Sequence, residues 1–148
     1  LEHFRQICDF RNCGLSVAYI DIDDFKQYNT NYTESTVDRV LLPRFMKLIE
    51  SHFFYHGFVY RYGGDEYVVI VPNLSIEMSK ALFREFQTLL YKLKFPGIEG
   101  LLTVSIGIYF VTRYCVYTEK EIEAKANLAK KKAKDSGKNT IYVLDEDH

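Results

Sequence analysis

The chain has 148 residues, enough to bury a hydrophobic core without disulfides. Its 19 basic and 20 acidic residues leave a formal net charge of −1, which argues against a general nucleic-acid binder, normally a basic protein. Three cysteines, Cys8, Cys13 and Cys115, are an odd number without metal-ligand spacing and read as reduced thiols of a cytoplasmic protein; no apolar run is long enough to cross a bilayer and no signal peptide is visible.

Leu1 to Asn12 reads as a short leading helix, followed by a strand from Leu15 to Ile22. That apolar strand runs into three carboxylates, Asp21, Asp23 and Asp24, and burying it is costly unless cations neutralise its end. Phe25, Lys26 and Asn29 add an apolar wedge, a cation and an amide to the same rim. From Thr36 to Phe53 the apolar positions follow helical spacing, and Pro43 demands a late start or a bend there because it lacks an N–H. Gly57 to Tyr62 and Glu66 to Val71 form a hairpin whose tip is Gly63-Gly64-Asp65-Glu66. Glycines let a bulky ligand approach the backbone, and carboxylates on a rigid turn can hold a divalent cation. Ser75 caps a helix expected to bury Leu82, Phe86, Leu89, Leu90 and Leu93. Leu101 to Val111 is a strand, Thr118 and Glu121 make a capping box for the last helix, Gly137 terminates it, and Thr140 to Leu144 is the last strand.

The two acidic clusters together resemble the GGDEF family, the diguanylate cyclase domain. The family's D-x-D-x-F-K-x-x-N stands here as Asp21-Ile22-Asp23-Asp24-Phe25-Lys26-Gln27-Tyr28-Asn29. Its signature loop is Gly63-Gly64-Asp65-Glu66-Tyr67, with Tyr67 in place of the usual Phe. V-S-I-G is Val104-Ser105-Ile106-Gly107, and A-K-x-x-G-[RK]-N is Ala133-Lys134-Asp135-Ser136-Gly137-Lys138-Asn139. The motifs occur in family order from about Ser16 to Val143. The resemblance implies an α+β fold with a ferredoxin-like palm core, its mostly antiparallel sheet flanked by helices, and residues 1–148 forming a single domain. A family segment of the form D-x-L-T-G-L-x-N-R before the first strand is missing, and a sensory or membrane region upstream is compatible with that.

By resemblance, Asp21, the backbone carbonyl of Ile22 and Asp65 would hold Mg²⁺ (or Mn²⁺). Glu66 would assist hydroxyl deprotonation or contact a second metal. Gly63 and Gly64 would leave room for substrate. Phe25 and Lys26 would line the triphosphate, with Lys26 also counted in the catalytic set. Asn29 and Asp38 would read the guanine edge, since a carboxylate accepts from its N1–H and N2–H₂. Lys134 and Lys138 would lie near the γ-phosphate. Asp23 is expected to be structural and to point away from Asp21, Asp24 to be solvated, and Lys130-Lys131-Lys132 to be the exposed face of the last helix. The twelve tyrosines and eleven phenylalanines read as core rather than as a stacking platform. His3, His52, His56 and His148 are scattered and form no metal site.

The chain also departs from the pattern. After Asn29 the family's Gly-His pair and the glycine before Asp38 are absent, and Val37 cannot adopt a left-handed backbone cheaply, so this segment is expected to take another path. The R-x-x-D of the family's product-inhibition site is Phe54-Tyr55-His56-Gly57 here, so feedback by that route is expected to be absent. Three functions follow: a cyclase that condenses two GTP into cyclic di-GMP across a transient homodimer, a degenerate domain that binds GTP or a protein partner without catalysis, and a palm-fold cyclase making another cyclic nucleotide.

Overall fold

The computed structural model describes residues 14–112 and 116–146. The leading segment and all three cysteines therefore lie outside the described residues. The elements are β1 (Gly14–Ile22), α1 (Phe25–Tyr32), a helical turn Glu34–Thr36, a π-helical turn Val37–Leu41, α2 (Leu42–Phe53), β2 (Phe58–Arg61), β3 (Glu66–Leu74), α3 (Ile76–Lys92), β4 (Val104–Val111), α4 (Glu119–Asp135) and β5 (Ile141–Asp145). They build one five-stranded sheet in the order β2-β3-β1-β4-β5, in which only the β4–β5 pair is parallel. This is the α+β palm expected from the order of elements.

Strand alternation divides the core. Ala18, Ile20 and Ile22 face a cluster filled by Val37, Leu41, Phe45, Ile49 and Phe53 and by Phe83, Phe86 and Leu90 of α3. Leu15 and Val17 face the other way, onto Ile122, Ala126 and Ala129 of α4. Alanines on α4 let it lie close to the sheet, and Gly107 marks the nearest approach: a Cβ there would fall 1.9 Å from the backbone nitrogen of Lys130. The motif glycine on β4 is thus a packing requirement, with no room for a side chain against helix backbone.

Several local expectations change in the folded chain. Between Ile22 and Thr36 the chain forms α1 (Phe25–Tyr32) and the helical turn Glu34–Thr36, broken at Thr33. The one left-handed residue at the far end of α1 is Thr33 (φ 70°), while Val37 keeps an ordinary helical φ of −60°. The chain then widens into the π-turn, closed by the Leu42 N–H on the Val37 carbonyl, and Pro43 enters in the first turn of α2, where its missing N–H costs little. Ser75 and Thr118 cap α3 and α4 by accepting from the backbone N–H of Met78 and Glu121. Leu89 does not join the core and Phe83 does, because α3 turns Phe83, Phe86 and Leu90 toward the sheet. His52 is a packing residue, its Nε2 2.9 Å from the Leu82 carbonyl and its ring against Phe53 and Phe86.

Candidate active site

Asp21 stands at the end of the central strand, opposite Glu66 on β3 and Ser105 on β4. The Ile22 N–H donates to the Asp65 carbonyl at 3.0 Å, which ties the β2–β3 turn to the end of β1. Within the turn, the N–H groups of Tyr62 and Gly63 both reach the Glu66 carbonyl, at 2.8 and 3.3 Å. The Arg61 guanidinium donates to the carbonyls of Gly63 (2.9 Å) and Gly64 (3.1 Å) and so holds the loop from within. A Cβ on Gly63 would meet nothing within 4 Å, and one on Gly64 only the Phe25 ring at 3.7 Å. Packing does not require these glycines; they keep bare backbone in open space, where a ligand can come close.

Asp21 is 2% exposed. One of its oxygens pairs with Lys134 of α4, and the other, Oδ1, is buried without a protein partner. Burial lifts its carboxyl above the ordinary aspartate range; the Lys134 ammonium pulls it back, and the adjacent Asp65 carboxylate pushes it up again. Two carboxylates side by side, one with a buried unmet oxygen, and a single lysine paired with Asp21 leave a site short of positive charge. That donor set suits a hard divalent cation, which takes one or two carboxylates and a carbonyl.

Lysines on and after α4 meet the acidic strand ends one turn at a time. Lys130 pairs with Glu66 at 3.3 Å, Lys134 with Asp21, and Lys138, in the turn beyond α4, with Asp24 at 2.6 Å. Lys130 and Lys134, four residues apart, share one face of α4, and Lys138 follows in left-handed backbone past its end (φ 64°). Lys130 is therefore not part of an exposed lysine face, since its side chain is only 13% exposed. Asp24 is exposed as expected, yet ion-paired and left-handed (φ 56°).

Asp23 is structural, for a different reason from the one expected. Period-two alternation would keep it on the same face as Asp21. The strand stops at Ile22, and the Asp23 carboxylate instead accepts from Thr103 Oγ1 (2.7 Å), Ser105 Oγ (2.6 Å) and the Asn139 N–H (2.9 Å). Asp23 thereby fixes the turn that presents Lys138.

The family profile described as "Diguanylate cyclase, GGDEF domain" matches residues 2–140. The chain belongs to the GGDEF family. An uncharacterised membrane protein of Staphylococcus haemolyticus is 29% identical over 144 residues, 95% of this chain and 40% of that protein. An uncharacterised protein of Bacillus subtilis is 31% identical over 126 residues, 85% of this chain and 21% of that protein. The chain thus spans less than half the length of these relatives. Among solved structures, the GGDEF domain of DgcB from Caulobacter crescentus in complex with c-di-GMP superposes with a TM-score of 0.84 at 22% identity, covering 97% of this chain and 85% of that one. The active GGEEF domain of a Vibrio cholerae diguanylate cyclase gives 0.83 at 23%, over 95% and 89%. At these identities the structural likeness establishes the fold.

The GGDEF motif residues fall into two groups in space. Asp21, Asp65, Glu66 and Lys134 converge at the strand ends. Phe25, Lys26 and Asn29 line α1, and Asp38 lies exposed on the π-turn that packs against α1. Asn29 Oδ1 is buried without a partner. Tyr67, at the position where the family carries Phe, is 1% exposed with its hydroxyl unpaired beneath the turn. At the family's product-inhibition positions, Phe54 and Tyr55 are 71% and 89% exposed and line an apolar groove of about 680 Å³ with Phe58 and Pro72. No helix among the described residues is long and apolar enough to cross a membrane.

Two participants were not anticipated from the sequence, Arg61 and Lys130. Arg61 stands next to the glycine turn, and its fork geometry matched to two carbonyls was a usable signal. Lys130 could have been found from its four-residue spacing to Lys134.

Proposed function

We propose that this domain is a diguanylate cyclase, forming cyclic di-GMP and two pyrophosphates from two GTP. The observation that carries the reading is the buried, unpartnered Asp21 Oδ1 beside Asp65, on the rigid end of the central strand and stitched to the GGDE turn. Asp21, Asp65 and the Ile22 carbonyl would hold Mg²⁺ (or Mn²⁺), which when bound stabilises triphosphate charge and makes a 3′-hydroxyl easier to deprotonate. Lys134 would exchange Asp21 for a phosphate oxygen, with Lys138 and Lys26 adding charge around the triphosphate, beside Gly63, Gly64 and Phe25. Glu66, released by Lys130, would accept the proton of the hydroxyl or contact a second metal. Each 3′-oxygen attacks the α-phosphorus of the other nucleotide; the α–β bond breaks and pyrophosphate leaves. Asn29 and Asp38 would select guanine.

One domain offers one set of carboxylates, and the product needs two phosphodiester bonds. Two domains facing each other with twofold symmetry satisfy both attacks. Residues 1–148 would act as one catalytic unit within a larger protein with a sensory or membrane region, which fits relatives named as membrane proteins that are much longer than this chain. Incubation with Mg²⁺ and each nucleoside triphosphate, followed by identification of products, tests the assignment. Cyclic di-GMP from GTP alone is expected, with an initial rate that rises faster than linearly with enzyme concentration until the dimer saturates. A strictly linear rate from a monomer would rule out the two-domain mechanism.

A second reading, a domain that binds GTP without turnover, draws on the altered segment around Asp38. Tight GTP binding with no pyrophosphate release would favour it.

A further inference from the structure

On the α4 face, next to Glu66 and apart from the α1 side, lies an open groove of about 530 Å³. Its walls are two tyrosines and one face of α4. Tyr19 sits two residues before Asp21 and, by strand alternation, on the same face. Tyr62 opens the GGDE turn and is 73% exposed. Across from them, Glu123 and Asn127 stand one turn apart on α4 and line the same groove. No described residue takes up either side chain by hydrogen bond or ion pair. The floor is closed by the Lys130–Glu66 pair, with Lys130 Nζ 5.9 Å from the centroid of the Tyr19 ring.

We propose that this groove binds the guanine base of a nucleotide, at a site distinct from Asn29 and Asp38. The volume is of ligand size. Exposed tyrosine offers a stacking face to any base. The free carboxylate and amide then choose among bases. Guanine presents N1–H and N2–H₂, which Glu123 can accept, and an O6 to which the Asn127 amide can donate. Adenine places an unprotonated N1 where guanine has a donor, and a carboxylate repels it. The two base sites stand on opposite faces of the sheet, since Phe25, Tyr28 and Val37 pack with the first core cluster and Tyr19 with the second. A nucleotide held in the groove lies beside Glu66, the register partner of Asp21, and Tyr19 stands about 7 Å along β1 from Asp21 at the rise of an extended strand. The inference goes beyond the cyclase reading and does not depend on turnover.

The test is a calorimetric titration of GMP, and in parallel AMP, into protein kept metal-free with EDTA. An Asn29→Ala/Asp38→Ser background removes the other base site. GMP is expected to bind at least about tenfold more tightly than AMP, because the carboxylate pairs with one base and opposes the other. Glu123→Gln and, separately, Asn127→Ala should each weaken GMP by about tenfold. Both positions are exposed on α4 and tolerate helix-forming residues, so the fold, checked by circular dichroism, stays intact. Equal affinity for GMP and AMP, unchanged GMP affinity in both variants, or no binding at millimolar GMP would each overturn the proposal. None of these outcomes bears on catalysis, which the product assay with Mg²⁺ decides separately.

Discussion

The two halves of the candidate site are built differently. Asp21, Asp65 and Glu66 hang from the ends of adjacent strands, where ladder hydrogen bonds fix each Cα against its neighbour. Asn29 and Asp38 ride on α1 and on a π-turn reached through a left-handed threonine, and Asp38 is exposed. Strand register tolerates little drift, because a one-residue slip turns every side chain to the other face. A helical connection can gain a π-turn or lose a glycine and still close. The carboxylate half is therefore held by strand register, while the half carrying Asn29 and Asp38 is free to change.

The largest test of that contrast is removal of the strand-borne carboxylates. Asp21→Ala or Asp65→Ala should take cyclic di-GMP formation to background while leaving the circular dichroism spectrum and melting cooperativity close to those of the parent. Full activity in either variant would sink the proposed chemistry.

Gly107→Ala attacks the same half through packing. Its Cβ would collide with helix backbone at Ala129 and Lys130, so α4 must shift together with Lys130 and Lys134. A loss of about 3 kcal/mol, the upper end for overpacking, should appear in urea unfolding. A loss below about 0.5 kcal/mol, within the range of ordinary surface changes, would show that α4 moves freely over the sheet.

On the helical half the expected effects are smaller. Asp38→Ser should narrow the preference for GTP over ATP by on the order of 1–3 kcal/mol, the range for leaving guanine N–H donors without their carboxylate acceptor. Competition kinetics with both nucleotides measure it. An unchanged preference would mean that Asp38 does not read the base, and the contrast between the two halves would be sharper still.

Tyr67→Phe probes the support of the turn. Its hydroxyl is buried and unpaired, so removing it should stabilise the fold by about 1 kcal/mol, with turnover retained. Destabilisation would show that the hydroxyl has a partner in solution.

The last effect concerns charge alone. Burial raises the Asp21 carboxyl, so the folded chain holds that proton more tightly than the unfolded chain does. The stability contributed by this group is then lost as pH rises from the ordinary aspartate range through the raised folded value. Asp21→Asn should melt higher than the parent above that window, and the gap should close as pH falls below it. A parent that melts higher at neutral pH would mean that the Lys134 pair outweighs desolvation.

Much of this was legible in the chain. Period-two apolar runs, the Gly63-Gly64 turn, the Ser75 and Thr118 caps and Gly137 past the last helix are local signals, and each rests on backbone sterics or on hydrogen bonds spanning a few residues. The order of the acidic motifs placed Asp21 beside Asp65 because an antiparallel palm leaves few ways to pair β1 with the hairpin. What only the tertiary structure decided depends on how α4 crosses the sheet. Lys130 reads as surface until the helix lies over Gly107 and brings its ammonium to Glu66, and the structural role expected of Asp23 comes from Thr103, Ser105 and Asn139 around it rather than from strand alternation. Contacts between residues 64 to 116 positions apart are set by register and crossing geometry, and no local window of sequence carries that information.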